Sequence, residues 1–148
     1  EKGVLSNILY DNYTAKRGKS ESTGNASRQW RAMARYAVQP MIRPSNLILL
    51  PEKGSLEELI GKVKEGILVK GGIIGALHSN AITGDFSITA DNAFKIEKGE
   101  VVFPLKACTV AGNLYEALNN VIAIGNDLKT DANVVCPSLV IDKIVVAT

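Results

Sequence analysis

Cys108, Cys136, His78 and the carboxylate of Asp85 are the side chains from which this sequence could build a reactive centre. A Ser-His-Asp or Cys-His arrangement must use His78, the single histidine, and the residue order does not bring Asp85 or a cysteine beside it. A lone histidine in a strand usually serves structure or faces solvent. Metal sites draw three or four ligands from Cys, His, Asp and Glu. One His and two unpaired Cys match no zinc spacing, so this chain is not expected to hold a catalytic metal by itself.

The two thiols sit in different surroundings. Cys108 lies in a β-rich apolar run with Leu105, Ala107 and Val110, where a small buried hydrophobe is the ordinary reading. Cys136 follows Asn133-Val-Val and precedes Pro137, at a loop-to-strand junction that could present a thiolate or simply pack it. Asp85 follows Gly84 in a turn, a position that more often fixes the turn than supplies an acid. Gly71-Gly-Ile-Ile-Gly75 resembles a phosphate-cradling loop, but such a loop needs a helix start directly after it, and here the pattern continues as strand.

Composition narrows the field. The chain has 148 residues and a net charge of +2, with few aromatics. It is expected to form one domain over residues 1–148, large enough for an aliphatic core. The cysteines form no CxxC pair and no signal peptide is visible, so the expected compartment is the reducing cytoplasm. No apolar run approaches the ~20 residues of a membrane span. Arg28, Arg31 and Arg35, with Lys16, Arg17 and Lys19 upstream, are the one basic cluster, which serves an acidic partner or a solvated face as readily as nucleic acid. The chain begins at Glu1, already inside patterned sequence, and reads as a piece of a longer protein.

The elements expected to position these residues centre on 82–113. Phe86, Ile88 and Ala90 alternate with polar partners as in a strand with one buried face. Glu97-Lys-Gly-Glu100 joins two further strands, with Gly99 supplying a positive φ. Upstream, Val4, Leu5, Ile8 and Leu9 predict a short strand leading into a brief helix closed by Gly18. Residues 19–39 predict a long loop with a turn at Thr23-Gly24-Asn25-Ala26, and Asn46–Leu50 a buried strand between prolines. Ser55 and Glu58 form a capping box for a helix with Leu56, Leu59, Ile60 and Val63 inward, stopped by Gly66. Strands are predicted at 66–70 and 73–79. Asn113 and Glu116 cap a second helix with Leu114, Leu118, Val121 and Ile122 buried, ended by Gly125-Asn126-Asp127. A loop at 130–133 and a last strand at 138–146 complete an α+β fold, a predominantly antiparallel β-sheet or barrel-like core with two helices.

Thr83-Gly-Asp-Phe-Ser87, Glu97-Lys-Gly-Glu100, Thr109-Val-Ala-Gly-Asn113, Gly125-Asn-Asp127 and Thr23-Gly-Asn25 occur in the order seen in the TldD/PmbA family, which the chain resembles over nearly its whole length. Members of that family were named modulators of DNA gyrase and are regarded as metallopeptidases. The resemblance implies the C-terminal part of a two-part subunit, paired with a homologous or identical subunit in a cytoplasmic dimer that cleaves unstructured peptides. In catalytic members a His-Glu-x-x-x-His helix upstream holds zinc, completed by a cysteine from the C-terminal part, a position that Cys136 would match. The Pro137-Ser-Leu that follows Cys136 and the wording Val110-Ala-Gly-Asn113 resemble the PmbA (TldE) side, whose members lack the His-Glu motif. Thr83, Gly84, Asp85, Phe86 and Ser87 are the substrate-cleft candidates. The alternative is a non-enzymatic partner subunit or gyrase-type regulator, with Arg28, Arg31 and Arg35 as its contact surface. Neither reading places the chain on a membrane; nucleic acid is not the expected partner, and salt-sensitive binding of it or of an acidic partner at the arginine surface would favour the alternative.

Overall fold

The computed structural model describes residues 4–30, 33–34, 36–76 and 79–147, with backbone alone for Gln29, Trp30, Met33 and Ala34. Arg31, Arg35 and His78 lie outside the described residues. The chain divides into two compact units, residues 1–48 with 131–134, and residues 49–130 with 135–148.

The first unit holds α1 (Asn12–Arg17) and five two-residue strands: β1 (Ala26–Ser27), β2 (Gln29–Trp30), β3 (Met33–Ala34), β4 (Met41–Ile42) and β5 (Leu47–Ile48). Asp11 caps α1 in a capping box with Thr14, and Gly18 closes it. The strand predicted ahead of α1 does not form: residues 4–11 have no regular structure, and Val4, Leu5 and Ile8 are exposed. An apolar run becomes a strand only where a pleated neighbour receives it. The predicted 19–39 loop is shorter than expected, because β1 pairs with β4 and β2 with β3. Its turn stands, with Gly24 at φ +73 and Thr23 exchanging hydrogen bonds with Tyr10. The 46–50 run is a strand for two residues only, and both are exposed rather than buried.

The second unit carries α2 (Leu56–Gly61), β6 (Glu65–Val69), β7 (Ile73–Ile74), β8 (Asp85–Ala90), β9 (Ala93–Glu97), β10 (Glu100–Leu105), β11 (Cys108–Asn113), α3 (Leu114–Asn119) and β12 (Val121–Ile124). β13 (Lys129–Asp131) and β14 (Val134–Cys136) flank a turn at Ala132 with φ +49, residues 131–134 belonging to the first unit; β15 (Leu139–Ile141) and β16 (Val145–Ala147) complete the second. Its strands pair antiparallel in sheets ordered β10-β9-β6, β16-β11-β8-β7 and β12-β15. The class is α+β and predominantly antiparallel, with three short helices among the described residues, the two capped ones and the brief helix expected ahead of Gly18.

The central stretch forms as its alternation predicts. Asp85 pairs with Asn113 and Ala90 with Cys108 across β8 and β11. Lys98 and Gly99 both take positive φ, +53 and +83, the backbone of a two-residue hairpin turn whose twist suits the strands. Ala90, Ala93 and Cys108 make a small-residue core where the sheets meet, with Ile67, Leu105 and Val110 packed on it. Ser55 caps α2 reciprocally with Glu58, and Leu59 is its buried residue.

Four boundaries differ from expectation. The second helix of the prediction stops at Asn119, not Gly125, because the β-branched run Val121–Ile124 prefers strand. Its stripe is not buried: Leu118 is 60 % exposed and Leu114 50 %. α2 ends at Gly61 with Lys62 as its cap, and Gly66 belongs to β6. Of the strand predicted at 73–79, β7 forms at Ile73–Ile74 only, residues 77 and 78 lying outside the described ones, and the 138–146 strand breaks in two at Lys143, where φ is +58.

Candidate functional site

The Thr83–Ser87 segment is built as a docked loop running into β8. Asn80 starts it, its Oδ1 accepting from the Ile82 and Thr83 amides. Gly84 sits at φ +83 and its carbonyl accepts from Leu114 N at 2.8 Å. Both oxygens of Asp85 are taken, Oδ2 by Thr83 Oγ1 at 2.7 Å and Oδ1 by Asn113 Nδ2 at 2.9 Å. Asn113 Nδ2 also donates to Thr83 O, while its Oδ1 caps α3 by accepting from Tyr115 N and Glu116 N. Asn113 thus joins the loop to the first turn of the helix.

The hydrogen bonds from Thr83 and then Asn113 hold the Asp85 carboxyl below its ordinary range. A carboxylate so engaged is an acceptor that locks a turn and a poor proton donor at neutral pH. A lowered folded-state value means stability that is complete above the unfolded aspartate pKa, about 3.9, and lost as pH falls through the folded value. Denaturation midpoints of wild type and Asp85→Asn are therefore expected to differ at pH 7 and converge in acid. A gap that stays constant with pH would remove the carboxylate charge as the cause.

Past Asp85 the strand alternates. Ser87 faces out, whereas Phe86 and Ile88 line an apolar cleft of about 890 Å³ within the second unit. Three sheets and two helices wall it, with Ile96, Val110, Leu139 and Ile144 among the lining and Lys62, Lys64, Asp142 and Lys143 at exposed positions. Of the five cleft candidates, only Phe86 lines this space.

Cys136 ends β14, half-buried, its Sγ donating to Pro137 O at 3.2 Å. Two residues on, Ser138 meets a group that the sequence reading missed. Asp127 Oδ1 accepts from Ser138 N at 3.0 Å, its Oδ2 from Ser138 Oγ at 2.7 Å, and Lys129 Nζ lies 3.3 Å from Oδ2. Partial burial alone would raise the Asp127 carboxyl; the Ser138 bonds and then Lys129 carry it below its usual value. The preceding Gly125 exchanges backbone bonds with Glu52 and Ser138, and Asn126 N donates to Gly54 O. Gly125-Asn126-Asp127 is therefore a junction of three segments, and its turn residues were the visible signal.

Cys108 is inert by comparison, since burial pushes its thiol pKa up. Arg28 is spent on its own loop, Nη1 donating to Tyr36 O at 2.9 Å. Among the described residues no three His, Cys, Asp or Glu side chains gather as a metal site. A zinc ion needs three or four such ligands, so these residues do not fit a complete zinc centre; Cys136 offers one soft donor. Among the described residues no helix is long and apolar enough to cross a membrane.

The whole chain, residues 1–148, matches the family model described as PmbA/TldA metallopeptidase C-terminal domain. The Metalloprotease PmbA of Escherichia coli O157:H7 is 31% identical over 147 residues, covering 98% of this chain and 28% of that protein. A Thermotoga maritima crystal structure, described as a candidate modulator of a DNA gyrase, is similar at TM-score 0.82 and 31% identity, over 99% of this chain and 32% of the other. TldE from Thermococcus kodakarensis is similar at TM-score 0.72 and 30% identity, over 94% and 30%. The chain spans less than a third of the length of these relatives.

Proposed function

Because the chain belongs to the PmbA/TldA metallopeptidase family as its C-terminal domain, we propose that it is the scaffold and substrate-cleft part of a zinc-dependent peptidase subunit. Alone it is not catalytic. The observation carrying this reading is a family match along all 148 residues by a chain that covers 28% of the Escherichia coli metalloprotease. Residues 1–148 would act as one domain, the C-terminal part of a longer two-part subunit that pairs with an identical or homologous subunit in the cytoplasm. Unstructured peptides are the proposed substrate, with Thr83, Gly84, Asp85, Phe86 and Ser87 at the cleft. In this reading Asp85 and Thr83 hold the loop while Phe86 supplies apolar contact.

Cys136 would complete a zinc set whose other ligands lie elsewhere in the subunit. Zinc held there would supply Lewis-acid chemistry toward a peptide carbonyl, with Cys136 as one donor. A second reading, favoured by the likeness to TldE, is a partner subunit in which Cys136 only packs. Metal content and peptidase activity of the full-length protein with its paralogue, beside a Cys136→Ala version, separate the two. Loss of zinc and of cleavage in the variant is the expected result. Zinc and activity unchanged by the variant would return Cys136 to packing, and no zinc in either protein would favour the partner subunit.

A further inference from the structure

We propose that Arg43 is a carboxylate-binding site, taking either the α-carboxylate that ends a peptide or the side-chain carboxylate of an aspartate or glutamate. Such a site needs neither zinc nor bond cleavage, so it goes beyond the peptidase reading. Arg43 follows β4 and is half-buried. Its backbone is pinned on both sides. Arg43 N donates to Asn25 O at 2.9 Å, and Asn25 Nδ2 donates to Arg43 O at 3.3 Å. A following proline, Pro44, biases Arg43 toward extended backbone, and Asn133 Nδ2 donates to Ser45 O at 3.1 Å just beyond it.

The side chain so anchored is left without a partner. Among the described residues its guanidinium makes no hydrogen bond and no ion pair, and Nε is closed to solvent with no acceptor. Buried polar groups are nearly always satisfied, so this one stands out. The first unit has little to neutralise it with. Residues 1–48 and 131–134 carry eight lysines and arginines against four carboxylates, a balance of +4. Asp11 is already spent on the α1 cap, and the ion pairs among the described residues, Lys95–Glu65 and Lys129–Asp127, belong to the second unit.

A guanidinium stripped of water along one edge gains more from an anion than a fully hydrated one, because part of the desolvation is already met and the local dielectric is lower. With Nε shut in, Nη1 and Nη2 remain open. Together they form a fork that fits the two oxygens of a carboxylate. Phosphate is the poorer fit. Phosphate sites gather backbone amides around the anion, whereas the Arg43 amide is taken by Asn25 and Pro44 has none.

The test is phenylglyoxal modification of the full-length protein, read at Arg43 by peptide mass spectrometry with the exposed Arg17 as internal reference. N-acetylalanine is expected to slow modification of Arg43 several-fold and leave Arg17 unchanged, while N-acetylalanine amide does neither. N-acetylglutamic acid α-amide separates the two sources: equal protection assigns the side-chain carboxylate as well, and none assigns the peptide terminus. Arg43→Lys keeps the charge and loses the fork, and is expected to bind N-acetylalanine about tenfold more weakly by ligand-observed NMR. Equal protection by N-acetylalanine amide, protection by inorganic phosphate alone, or no protection at all would overturn the proposal. So would an Arg43 already unreactive in the full-length protein, which would give it a carboxylate of the protein's own. No arm of the test depends on zinc or cleavage, so the peptidase reading stands or falls separately.

Discussion

Truncating Leu59 to Ala is expected to destabilise the second unit by about 2–5 kcal/mol. Leu59 is 2 % exposed and is the largest fully buried side chain among the described residues. It fills a space that two glycines leave for it: a methyl on Gly54 would lie 2.7 Å from Leu59 Cδ1, and one on Gly125 3.4 Å from Cδ2. Neither neighbour has a side chain to move into the gap, so collapse is limited and the cavity term persists. Chemical denaturation of the full-length protein measures the loss. Adding Gly54→Ala should return part of it, because the two changes share one space and do not add. A loss under about 1 kcal/mol would mean that the segments close over the void.

Gly84→Ala is expected to cost about 1–3 kcal/mol, from the left-handed backbone together with overpacking. Its φ of +83 would strain any side chain, and the new methyl would meet the Tyr115 ring at 2.7 Å and Asn113 Oδ1 at 3.2 Å. Tyr115 is exposed and can swing aside; the backbone cannot. Gly84→Ala combined with Tyr115→Ala should therefore recover only the crowding part of the loss. Full recovery would show that the turn tolerates L-residues.

Local chemistry was legible wherever a few adjacent residues decide the outcome. The Ser55–Glu58 box, the Asn113 cap, the Lys98-Gly99 turn and the Phe86/Ile88/Ala90 alternation each follow from spacing alone, and each forms. Cys108 as a core residue followed from its apolar neighbours. What failed needed knowledge of distant partners. Gly66 and Val121–Ile124 read as parts of helix boundaries until β9 and β15 are there to pair with them. The Asp127–Ser138 contact joins residues eleven apart through two strand ends, and no short motif encodes it. Leu114 and Leu118 have the spacing of a buried stripe yet stand exposed; spacing defines a face, and only a packed neighbour buries it.

Pro104 has a further effect on how this protein behaves at high concentration. It sits in β10, opposite Phe94, with a register shift between Val101 and Phe103 just before it. Among the described residues β10 has one neighbour, so the missing amide falls on the border of its sheet, where Val101, Val102 and Phe103 also stand exposed. A long, flat, apolar border invites stray strands to add and fibrils to start. Proline and a bulge spoil that template at little cost to the pairing behind it. The apolar residues of β10 can thus stand exposed without offering a template for indiscriminate growth.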